Sequence, residues 1–135
     1  MQLRSLALAA GMLFAVAAPA IAHHSFAMFA GDKTVTLTGT VKEFEWTNPH
    51  SWLHLTVMTD AGAPEEWAFE MGSPNMMAAR GWRVDSVKVG DKVTVTAHPL
   101  KDAASHGGSE MSVKLPNGTL LGSSTPAPVG SGPYQ

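Results

Sequence analysis

The chain has 135 residues, with nine Lys+Arg against eleven Asp+Glu, a formal net charge of −2, and no cysteine. That length holds one compact domain with a real core and leaves no room for two. The charge balance argues against nucleic acid or an anionic membrane surface as partners, and the missing cysteines exclude disulfides, thiolate metal sites and thiol chemistry.

Residues 1–22 read as an export signal. Arg4 gives a positive start, residues 6–18 form an apolar stretch too short to span a bilayer, and Ala20-Ile21-Ala22 offers a small-residue cleavage site. Cleavage after Ala22 would send the product to the periplasm or beyond and make His23 its first residue. No long apolar run follows, so the mature chain is expected to be free of the membrane.

Residues 23–33 form an N-terminal segment ahead of a domain over 34–121. In 34–46, Val35, Leu37 and Val41 alternate with Thr36, Thr38 and Thr40, which predicts a strand. Phe44 and Trp46 then fall on the opposite parity, so a bulge near Lys42-Glu43 is needed to return them to the same face. Gly39, in the apolar phase, suits a close bend there.

Asn48-Pro49 makes a turn into a second strand over 51–59, with Leu53, Leu55 and Val57 on one face and Trp52, His54 and Met58 on the other. A third strand covers 66–71, with Trp67, Phe69 and Met71 facing one way. Ser73 is placed to cap a short helix, Pro74 suits its first position, and Gly81 stops it. A fourth strand spans 92–98, and a polar loop covers 101–108. A fifth strand over 111–115 turns at Asn117-Gly118 toward Leu120-Leu121. Residues 122–135, rich in Ser, Pro and Gly, have nothing to bury and are expected to form a disordered tail.

Three strands, a short helix and two strands, with a long bent first strand, predict a mainly β protein. The expected architecture is a small five-stranded Greek-key barrel of the OB type, with an irregular β-sandwich or roll as the competitor.

All six histidines follow the signal. A free α-amino group and an imidazole on His23 would chelate a metal, and copper or zinc suits such donors. His24, His50, His54 and His98 are the candidates to complete the set. His50 and His54 share a strand face but stand ~13 Å apart by strand rise, so each needs a partner from elsewhere. His106, in a Gly-rich loop, is the weakest candidate. Solvated strand and turn histidines are the plain alternative. Trp52, between His50 and His54, marks a ligand or partner surface together with Asn48 and Glu70. The methionines read as core filler. No nucleophile elbow, paired acids or phosphate loop is present, so a binding module is expected before an enzyme. Its partner would be a metal, a small ligand or another protein, and a copper redox enzyme is the weakest of these readings.

Several motifs together resemble a family of uncharacterised secreted bacterial proteins, a domain-of-unknown-function family. They are His23-His24-Ser25-Phe26, Leu37-Thr38-Gly39-Thr40-Val41, Trp46-Thr47-Asn48-Pro49-His50, Glu70, Gly72-Ser73-Pro74-Asn75, Gly81-Trp82, Gly90-Asp91-Lys92-Val93 and His98-Pro99-Leu100. The resemblance implies a single secreted domain of this layout and assigns no reaction.

Overall fold

The computed structural model describes residues 26–122. The N-terminal histidines and the Ser/Pro/Gly-rich tail, apart from Gly122, therefore lie outside the described residues. The described residues form six strands: β1 (Val35–Glu45), β2 (Trp52–Met58), β3 (Pro64–Glu70), β4 (Lys92–Pro99), β5 (Gly107–Lys114) and β6 (Leu120–Leu121). One short helix, α1 (Pro74–Ala78), separates β3 from β4.

The strand order is β3-β2-β1-β4-β5-β6. A parallel contact between β3 and β5, pairing Ala68 with Gly107, Phe69 with Gly108 and Glu70 with Ser109, closes the first five strands into a barrel. This is the expected OB-type barrel. The sandwich alternative fails because β1 serves both sides: Val35 to Thr40 pair with β4, and Thr40 to Glu45 pair with β2.

Two local features let β1 do this. Its register against β2 shifts between Val41 and Glu43, so Lys42 is the extra residue of a bulge. Phe44 and Trp46 thereby pack on the core with Leu37 and Val41. At Gly39, an added Cβ would sit 2.8 Å from the carbonyl oxygen of Thr56, so β1 passes β2 too closely for any side chain.

The interior is mainly apolar, with Ser51 and Glu110 as its buried polar residues. Leu53, Leu55, Phe69, Val95, Ala97, Val113 and Met77 are fully buried. With no disulfide available, this packing carries the stability, each large buried side chain contributing roughly 1.5–3 kcal/mol before entropy is counted. At one end α1 and the turn after it supply Met77, Trp82 and Val87 to the same cluster. Ser73 caps α1 by accepting from the Met76 amide, Pro74 opens it, and Gly81 leaves it with φ of +91°.

The fifth strand begins earlier than its apolar residues suggest. Gly107 and Gly108 belong to it, and a Cβ on Gly108 would lie 2.6 Å from the carbonyl oxygen of His98. The bare backbone lets β5 approach β4, which is why a stretch that reads as loop is strand. A second register shift, between Thr96 and Ala97, then puts Glu110 opposite Ala97 inside the barrel, where it is only 2% exposed.

Candidate metal-binding surface

The bulge at Lys42 decides what the outside of β1 presents. Beyond it Glu43 stands opposite His54, and Glu45 opposite Trp52. Both glutamates therefore share the outer face with His54, while Phe44 between them turns inward. Glu45 Oε1 lies 2.8 Å from His54 Nε2. One ligand atom from each of Glu43, Glu45 and His54 lies within 4.8 Å of the others. Among the described residues this is the one such group of three His, Asp or Glu side chains.

A carboxylate accepts, so the Glu45 contact places a proton on His54 Nε2 and leaves the lone pair on Nδ1 in the neutral ring. A metal ion entering at Nε2 would displace that proton. Trp52 stacks on the His54 ring, with centroids 6.5 Å apart and 28° between planes. Next to this group, Lys42 Nζ meets Glu66 Oε2 at 2.7 Å, and the Thr56 hydroxyl donates to Glu66 Oε1. The Lys42 hydrogen bond holds the Glu66 carboxyl below its ordinary range, with Thr56 adding to the effect.

The other sequence candidates take different positions. His50 follows a cis Asn48–Pro49 bond, and the Thr47 hydroxyl donates to its carbonyl to close the turn. Its Nδ1 donates to the Met71 carbonyl at 3.1 Å and lies 3.4 Å from Glu70 Oε1. The lone pair is therefore on Nε2, which is buried. Glu70 also stands opposite Trp52. Asn48 is exposed in the turn. His98 donates from Nδ1 to the Lys33 carbonyl at 2.7 Å, again leaving the lone pair on Nε2. His106 stacks on Trp67 at 5.2 Å and comes within 3.8 Å of Glu65. His50, His54 and His98 are not brought together in any group of three among the described residues.

His23 and His24 lie outside the described residues. The chain that follows them is fastened beside the end of β4: Phe29 bridges Leu100, Lys101 N donates to Met28 O, and Ala30 N donates to Pro99 O.

Sequence reasoning missed Glu43 and Glu45. Their signal was the parity break itself, since a bulge that returns Phe44 and Trp46 to the core must turn the odd residues beside them outward. It also missed Glu110, whose inward position depends on a second register shift that no apolar pattern marks.

The fold and this surface define a small OB-like β-barrel domain with one short helix and an outward cluster of one histidine and two glutamates. Over residues 10–109 the chain matches the model of the Family of unknown function (DUF6152), and it belongs to that family. No curated protein and no solved structure matches it.

Proposed function

We propose that the protein is an exported binding module that takes a divalent transition metal, zinc or copper, on the β1–β2 face. His54 supplies the imidazole, and Glu43 and Glu45 the carboxylates. The observation that carries this reading is the group of three ligand atoms within 4.8 Å of one another. Small side-chain rotations would bring them to the ~3.4 Å edge of a tetrahedral zinc site, leaving a fourth position for water or another donor. The positive start, short apolar stretch and Ala20-Ile21-Ala22 within residues 1–22 support export to the periplasm or beyond. Cleavage after Ala22 gives His23 a free amine beside its imidazole, a second donor set suited to copper, which His24, His50 or His98 would complete.

Titration of the processed protein with Zn²⁺ and Cu²⁺ by calorimetry tests both parts. His54→Ala should weaken zinc binding by tenfold or more, and Glu43→Gln/Glu45→Gln by a similar factor. Acetylating the N-terminus should affect copper alone. Zinc affinity unchanged in both variants would sink the β1–β2 site. If metals also fail to bind while Trp52→Ala abolishes capture of a partner protein, the face is a metal-free docking surface.

A further inference from the structure

A cleft of about 350 Å³ opens beside α1, at the end of the barrel that the helix covers. It is lined by Trp46, Ala78, Trp82, Arg83, Val84 and Asp85. None of these belongs to the β1–β2 metal surface. The volume lies within the range of small-ligand sites, roughly 300–1,000 Å³.

Trp82 is the residue that gives the cleft a chemistry. It is 1% exposed, and its Nε1 is buried with no hydrogen-bond partner. Buried indole N–H groups usually find an acceptor, because desolvation without one is uncompensated. Phe44 packs on Trp82 at 5.9 Å and on Trp46 at 5.8 Å, so the two indoles are held by a shared ring. Both are therefore set before any ligand arrives.

The rim is also ordered. The Arg83 amide donates to the Ser86 hydroxyl at 2.8 Å, and the Ser86 amide returns a bond to the Arg83 carbonyl at 3.0 Å. This closed turn presents Arg83, Val84 and Asp85 together. Val84 is 65% exposed, an apolar side chain facing outward beside two tryptophans. The guanidinium of Arg83 meets Asp85 only at 3.9 Å, and both side chains are largely exposed. Such a pair is weak and readily exchanged for a better acceptor.

We infer that this cleft is a binding site for a small organic monocarboxylate with an apolar body. The body would lie against Trp46, Ala78 and Val84, and the carboxylate would accept from Trp82 Nε1 and from Arg83. Because Trp82 is covered almost completely, entry requires the exposed Arg83–Val84 side chains to move aside. The Asp85 carboxylate opposes a second negative charge, which selects monocarboxylates over dicarboxylates.

The test uses the whole chain labelled with ¹⁵N-tryptophan, read through its four indole N–H resonances. They are assigned by elimination with Trp46→Phe, Trp52→Phe and Trp67→Phe. Benzoate is the probe, benzyl alcohol has the same body without the charge, and acetate has the charge without the body. The Trp82 indole proton should shift and saturate with benzoate, and shift far less with either control. Arg83→Gln should weaken benzoate about tenfold, and Ala78→Leu, which fills the cleft from an exposed position, should abolish the shift. An unmoved Trp82 resonance, an equal response to benzyl alcohol, or an Arg83→Gln protein that binds as well would each overturn the proposal.

Discussion

Glu43 stands opposite His54 because Lys42, and not Glu43, is the extra residue of the β1 bulge. In an unbroken strand residue 43 would share the inward phase of Gly39 and Val41, and a charged side chain would point into the core. One unpaired residue thus solves a packing problem for Phe44 and creates the acidic half of the proposed site. Deleting Lys42 removes only the extra residue and keeps Glu43 and Glu45 opposite His54 and Trp52, so zinc binding should survive, while loss of the bulge and of the Lys42–Glu66 pair lowers the melting temperature. Calorimetric titration and thermal unfolding of the same sample would check this separation.

The Lys42–Glu66 pair should give a small stability term with a defined sign. Its carboxyl titrates below the ordinary value of 4.5, mainly through the Lys42 hydrogen bond. The folded state therefore holds the charge more strongly than the unfolded one. The contribution is present above the unfolded pKa and is lost as pH falls through the lower folded value. Both side chains are more than half exposed, so solvent and salt screen it. Glu66→Gln should lower the melting temperature slightly at pH 7, less at high salt, and not at all near pH 2.

Ser51 is completely buried, and its hydroxyl has no hydrogen-bond partner. Ser51→Ala removes a desolvated polar group without orphaning a partner, so it should be neutral or raise stability by up to ~1 kcal/mol. Denaturant unfolding measures the difference. Phe69→Ala, at a fully buried position of the same barrel, should cost ~3–5 kcal/mol and serves as the contrast.

Gly108→Ala should be strongly destabilising. The new Cβ would face a backbone carbonyl at 2.6 Å, which no rotamer change can relieve. Gly31→Ala, where an added Cβ meets nothing within 4 Å, should leave the melting temperature within a degree or two. Parallel thermal scans of the two variants would separate steric loss from the general effect of replacing glycine.

Much of the barrel could be read from residues that alternate. Val35, Leu37 and Val41 set the inward phase of β1, and Phe44 and Trp46 required the bulge that the structure contains. Gly39 showed the close approach, and Ser73-Pro74 showed the start of α1. The site was less legible, because pattern reasoning follows inward residues and the proposed ligands point out. On a closed barrel, outward side chains from different strands diverge, so His50, His54 and His98 can share a phase without sharing an ion. Trp82 was unplaced because it follows a short helix with no period of its own. Glu110 was hidden by the register shift between Thr96 and Ala97, which no apolar pattern marks.

The ring of strands is sealed by three residue pairs between β3 and β5, two of them ending on Gly107 and Gly108. Every other seam of the ring is longer and antiparallel. This short parallel stretch is where the barrel would unzip first, laying bare the edges of β3 and β5 at once. With no cysteine, and so no disulfide, to hold it shut, the domain's endurance is then governed by the opening rate of that one seam.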